Sequence, residues 1–194
     1  MTIGDRFAEV LAAARDGEDW AWAELYRELA PELLRFLNAL GASDAEDCLG
    51  ETFISMVRQL PGFEGDEAGL RSLAFMIARS RLVDSWRKAG RRPLQTELVH
   101  ATEPVMPGAD AAALDDAGVS EILAALSPDQ RSVVVLRLLH GFSVAETAEI
   151  LDRSAGAVKQ LQHRAVASLR SELTGPAPVA STMAEVGEVS SPRA

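Results

Sequence analysis

The chain has 194 residues, 47% of them apolar and 5% aromatic, enough for one medium domain or two small ones with real cores. Its formal charge of −10 argues against uniform attraction to a polyanion, and no apolar run approaches the roughly 18 residues that cross a membrane. Cys48 is the only cysteine and reads as a buried thiol. His100, His140 and His163 are not at ligand spacing, so no disulfide and no Cys/His metal site is expected.

In chain order, residues 3–16 predict a helix stopped by Gly17. Asp19 is placed to cap a second helix through Leu29, and Pro31 suits the first turn of a third that ends at Gly41. Ser43-Asp44-Ala45-Glu46 has the form of a capping box, opening a helix to about Leu60. A turn-rich loop, Pro61 to Asp66, precedes a long helix from about Glu67 to Ala89. That helix is apolar on two sides: Leu70, Leu73 and Ile77 mark one face, Phe75, Leu82 and Trp86 nearly the opposite one.

Positive charge sits in two short blocks. Residues 79–92 carry six bases and one acid, and residues 153–170 carry four bases and no acid. In the first block, Arg79, Arg81, Arg87, Lys88, Arg91 and Arg92 interleave with Phe75 and Trp86. Aromatic faces among cations suit single-stranded nucleic acid; the same pattern also fits core aromatics with a cationic helix C-terminus. Residues 93–117 hold prolines, alanines and acids without a base and predict a flexible interdomain linker, and a disordered tail is expected from Gly175.

The stretch from Ser127 to Leu173 is the most specific. Ser127-Pro128-Asp129-Gln130 is a Ser cap, a Pro at the first helical position and a Gln three residues on. The helix it opens stops at His140-Gly141. Ser143 to Glu146 is a second capping box for a helix to Leu151. The turn Asp152 to Ala155 then leads into a last helix from about Gly156 to Leu173. At about 100° per residue, Val158, Leu161, Ala165 and Leu169 form one stripe. Lys159, Gln160, His163 and Arg164 lie off it. Two short capped helices, a tight turn and a longer basic helix are the pattern of major-groove readers. An ordinary amphipathic helix with a solvated basic face shares it.

The expected architecture is all-α: two small helical domains joined by a flexible linker, the second a helix-turn-helix domain. The expected boundaries are 1–92, linker 93–117, 118–174 and tail 175–194. No glycine-rich phosphate loop or nucleophile–base pair is evident, so no enzyme activity and no cofactor is expected. With no basic-then-apolar leader pattern, the expected location is the cytoplasm.

Three stretches together resemble the sigma-70 family of bacterial RNA polymerase sigma factors, in the two-domain extracytoplasmic-function (ECF) form. Leu25 through Leu37, with Asp44 to Asp47 and Glu51-Thr52-Phe53, is similar to the family's region that docks on the polymerase clamp. Phe63 to Arg92, with Ile77-Ala78-Arg79 and Asp84, is similar to the region that melts and reads the minus-ten element. The helix-turn-helix, with Gly156, Val158, Lys159, His163 and Arg164, is similar to the minus-thirty-five reader.

The resemblance implies a transcription initiation factor whose partners are core RNA polymerase, promoter DNA and an anti-sigma factor, without membrane insertion. It implies Arg153, Ser154, Lys159, Gln160, His163 and Arg164 at the upstream element. At the minus-ten element it implies Phe63, Arg79, Arg81, Trp86, Arg87, Lys88 and Arg91, with the loop Pro61 to Leu70 as wall of a pocket for an extruded base. Asp44, Glu46, Asp47 and Glu51 are implied for docking. A stand-alone regulator using the same helix-turn-helix is the alternative. The chain departs from the family at Cys48-Leu49-Gly50, where Leu-Val-Gln is common, and at Leu73, Ala157 and Leu161.

Overall fold

The computed structural model describes residues 3–88, 90 and 123–174. The linker expected at 93–117, the tail from Gly175 and Arg91 lie outside them. All regular elements among the described residues are helical. A 3-10 turn, Gly4–Arg6, leads into α1, Phe7–Arg15. Then come α2, Asp19–Ala39; α3, Ala45–Gln59; a 3-10 turn, Leu60–Gly62; and α4, Glu67–Lys88. The second unit holds α5, Pro128–Val134; α6, Val144–Leu151; and α7, Ala155–Thr174.

In the first unit, α2, α3 and α4 pack on one another around Leu25, Leu29, Leu33, Phe36, Met56, Leu70 and Leu82, all fully buried. α4 is buried on both sides, as its pattern predicts, because α2 and α3 flank it while α6 covers it from the second unit. α1 is tied to α2 by the Trp22 indole, which donates to the Ala14 carbonyl at 2.9 Å.

Three local expectations need correction. α2 is one continuous helix with Pro31 inside it, not two helices. Proline deletes one helical hydrogen bond and costs roughly 3 kcal/mol. The buried stripe Leu25, Leu29, Leu33 and Leu37 runs through it unbroken and offsets that cost. The cap of α3 is Asp44, not Ser43; its Oδ1 accepts from the Asp47 amide at 2.8 Å. The helix opened by Ser127 does not run regularly to His140, since Val135–Leu139 adopts π geometry. His140 N reaches back to the Val135 carbonyl at 3.1 Å, and Phe142 N to Leu136 at 3.0 Å. This widened turn buries Leu136 and Phe142 together and leaves Leu138 and Leu139 exposed.

Candidate nucleic-acid interfaces

The helix-turn-helix is assembled by its local signals. Both capping boxes close reciprocally: Ser127 with Gln130, and Ser143 with Glu146. These Ser143 hydrogen bonds hold the Glu146 carboxyl below its usual range. Asp152 ends α6 in the left-handed region, at φ 51°, which turns the chain into α7. Val158 and Ala165 are completely buried, with Leu161 and Leu169 partly buried beside them. Facing outward, Lys159, Gln160, His163 and Arg164 are all exposed. Two further residues expected at the upstream element have local partners. Ser154 Oγ accepts from the Ala157 amide at 3.2 Å, and Arg153 pairs with Asp129 at 3.1 Å. Four unburied hydrogen-bonding side chains on one face of a capped helix can meet phosphates and base edges without rearrangement.

The residues expected at the minus-ten element do not form one patch. Phe63 precedes α4 and Trp86 sits near its end; from Glu67 to Trp86 the helix axis rises about 28 Å. Toward that end, Arg87 and Lys88 are exposed, while Arg79, Arg81 and Trp86 are half-buried. Acids share the cations: Asp84 lies 3.5 Å from Arg87 and 3.9 Å from Arg81, and Glu51 lies 3.8 Å from Lys88. A cleft of about 510 Å³ separates this half of α4 from the start of α5, lined by Leu40, Arg79, Val83, Trp86, Pro128 and Asp129. Burial lowers the pKa of Arg79; Asp129 and Asp152 of the second unit oppose that shift and Arg153 adds to it.

At the other end, the loop is tightly built. The Phe63 ring lies over two glycines: a Cβ at Gly65 would come within 2.8 Å of the ring, and one at Gly69 within 3.4 Å. Arg15 of α1 donates to the Leu60 carbonyl at 3.3 Å and also to the Phe63 carbonyl.

On α3, Asp44, Glu46 and Asp47 are exposed, and Glu51 is half-buried. Asp44 serves its own helix as cap, so its carboxylate is engaged before any partner arrives. Cys48 is buried, and that burial pushes its thiol pKa up. Sequence reasoning missed the apolar strip beside the acids. Ile54 and Val57 are about half exposed, at 55% and 51%, near the Tyr26–Phe53 ring pair at 4.8 Å. The signal was available, because these two residues stand off the stripe of Leu49, Thr52 and Met56 that faces inward.

Arg71 and His140 were missed as well, and they join the two units. Arg71 Nη2 donates to the His140 carbonyl at 2.9 Å, pairs with Glu32 at 2.7 Å, and stacks over Phe142 at 4.1 Å. The His140 ring lies 4.8 Å from Phe75 and 6.0 Å from Phe36, while Phe75 and Phe142 meet at 4.8 Å. Burial drives the His140 pKa down to about 4. Among the described residues no group of acids, histidines and cysteine is arranged to hold a metal, and no helix is long and apolar enough to cross a membrane.

Comparison with known proteins places both units. Residues 25–92 match the family described as Sigma-70 region 2, and residues 118–169 match Sigma-70, region 4. The chain is 30% identical to the ECF RNA polymerase sigma factor SigD of Mycobacterium tuberculosis over 186 residues, covering 89% of this chain and 87% of SigD. It is 31% identical over 170 residues to the ECF sigma factor BldN of Streptomyces coelicolor, covering 84% of this chain and 64% of BldN, so it spans a little under two thirds of that relative. Among solved structures, CnrH in complex with the cytosolic domain of CnrY superimposes with a TM-score of 0.65 at 26% identity, covering 87% of this chain and 97% of that one. The sigma factor RpoE of Bartonella quintana, in complex with the anti-sigma factor NepR, gives 0.63 at 26% identity over 78% of this chain and 96% of that one. With regions 2 and 4 matched in order and the match to SigD running through both, the chain belongs to the sigma-70 family of RNA polymerase sigma factors, in its extracytoplasmic-function group.

Proposed function

We propose that this chain is a transcription initiation factor that binds core RNA polymerase and directs it to specific promoters. The observation that carries the reading is the outward face of α7, where Lys159, Gln160, His163 and Arg164 are exposed on a helix seated by buried Val158 and Ala165. That face reads the upstream element in the major groove. The first unit docks on the polymerase through α3, with Glu46, Asp47 and Glu51 beside the Ile54–Val57 strip; Asp44 caps the same helix. The loop around Phe63 captures an unpaired base of the minus-ten element, and Arg79, Arg81, Trp86, Arg87, Lys88 and Arg91 follow the separated strand. The domain limits follow the two functions: 1–92 and 118–174, joined by 93–117.

The action is binding, not covalent chemistry, and it takes place in the cytoplasm, where polymerase and promoters are. Tethering both units on one polymerase supplies a high effective concentration, so a chain of charge −10 acts on DNA without tight binding of its own. An anti-sigma partner is part of the proposal, because the Bartonella factor was solved in complex with an anti-sigma factor and CnrH in complex with the cytosolic domain of CnrY. The test is transcription in vitro with sigma-free core polymerase and fragmented genomic DNA of the host. Discrete starts that share upstream motifs are the expected result. Absence of any complex with core polymerase overturns the proposal in favour of a stand-alone regulator.

A further inference from the structure

We propose that Arg15 is a positioning residue for base selection at the minus-ten element: from α1, it holds the loop that carries Phe63 in the shape that discriminates bases. This rests on the reading of that loop as the wall of a pocket for an extruded base.

The loop between α3 and α4 begins from one buried anchor, Leu60, and is otherwise half-buried or exposed up to Leu70. Such a segment has carbonyls that no helix satisfies, and left to water it samples several shapes. The Leu60 carbonyl already accepts from the Phe63 amide at 3.1 Å across the 3-10 turn; the Arg15 guanidinium donates to that carbonyl as well and to the Phe63 carbonyl, and thereby fixes the backbone on both sides of Pro61 and Gly62. A planar fork can bond two carbonyls at once, which a lysine ammonium cannot do with the same geometry.

Further fixings act on the same loop. The Glu67 carboxylate accepts from the Ile3 amide at 2.8 Å and the Gly4 amide at 2.9 Å, strapping the start of the chain to the start of α4. Asp66 Oδ1 accepts from the Gly69 amide at 2.8 Å and closes the first turn of α4. Within this frame the Phe63 ring rests on Gly65 and Gly69 with no room for a side chain at Gly65. Residues 3–15 therefore brace the loop from outside while the glycines brace it from inside.

Bracing matters because discrimination between bases depends on where the pocket wall stands. Selective sites hold their contact groups to within roughly 0.5 Å through supporting residues that touch no ligand. Arg15 is itself exposed, so its hydrogen bonds contribute little to folding. Base selectivity and stability are thus separable readouts, and a purely structural role would move only the second.

The experiment uses the full chain with core polymerase on a promoter library carrying all four bases at each minus-ten position, over an intact or scrambled upstream element. Arg15→Ala should flatten the preference at one or more minus-ten positions by about fivefold, the scale of one or two hydrogen bonds. Dependence on the upstream element and thermal unfolding should stay close to the parent. Gly65→Ala, which displaces the ring by a different route, should flatten the same positions, and Arg15→Lys should recover only part of the preference. Unchanged base ratios in Arg15→Ala, or an equal loss on every promoter, overturn the positioning role while leaving the pocket reading intact. Unchanged ratios in Phe63→Ala overturn the pocket reading, and the positioning role with it.

Discussion

The two candidate DNA faces of this molecule are built in opposite ways. On α7 one stripe is buried and the opposite one stands in solvent, so Lys159, Gln160, His163 and Arg164 are ready to meet a groove. On α4 both sides are packed, and the cations are shared with Asp84, Glu51 and the acids of the second unit. A helix can be a reader on its own only when its partner covers a single face. α4 is first a core helix, and the nucleic-acid surface proposed for it is what the core leaves over at each end.

The packing that covers α4 is what sets it apart from α7. Phe142 is almost completely buried against Phe75 and under Arg71. Phe142→Ala should cost about 3–5 kcal/mol, the usual range for truncating a buried phenylalanine. Leu139→Ala, at an exposed position a few residues away, should stay within about 0.5 kcal/mol. Urea denaturation of the two variants measures both. If Phe142→Ala is nearly neutral, the units do not depend on each other and α4 is not covered in solution.

The same junction should respond to pH. His140 ordinarily titrates near 6.5, and here burial holds it near 4, with Arg71 and Arg35 adding to the shift and Glu32 opposing it. A depressed histidine favours the neutral form in the fold. Its contribution is therefore complete above about pH 6.5 and fades as pH falls toward 4. Between pH 7.5 and 5 the chain should lose about 2 kcal/mol through this group. His140→Phe, which keeps a ring between Phe36 and Phe75, should remove most of that slope. An unchanged slope would mean that His140 does not titrate against the junction.

On the open face the effect is smaller and confined to recognition. Lys159→Ala with Arg164→Ala should weaken use of the upstream element by about 1 kcal/mol for each hydrogen bond to DNA that is removed, read as promoter-dependent transcription. Complex formation with core polymerase should be unaffected, and failure to form that complex would show that α7 also faces the polymerase.

These contrasts track what local sequence can reveal. The Ser127 and Ser143 capping boxes and the Gly17 and Gly141 helix ends were legible because each depends on residues within one turn of itself, whereas at Ser43 the neighbouring Asp44 took the cap. The α7 face was legible because its period is regular. Pro31 misled, since a local rule says that helices end there while a buried stripe three turns long says otherwise. The π turn at Val135–Leu139 carries no local signature; it exists so that Leu136 and Phe142 can both reach the core. Arg71 and His140 were invisible because they are 69 positions apart and meet only when α4 receives the second unit. The Arg15 bonds to Leu60 and Phe63 span the chain in the same way.

The smallest effect concerns Gly50, where the chain departs from its family on the face proposed to dock. Gly50 is exposed in the middle of α3, one turn before Ile54, and a Cβ there would meet nothing within 4 Å. Its backbone is helical and not left-handed, so neither conformation nor space within the chain requires glycine. Gly50→Ala should therefore stabilise the free protein by about 0.5–1 kcal/mol, the helix-propensity difference, seen as a small rise in unfolding midpoint. If the proposed docking face brings the polymerase close to the α3 backbone here, the absent side chain has a use outside the chain. The same variant should then bind core polymerase more weakly than the parent, despite its greater stability. A gain in stability with unchanged polymerase affinity would place the docking surface away from Gly50, toward the Ile54–Val57 end of the helix.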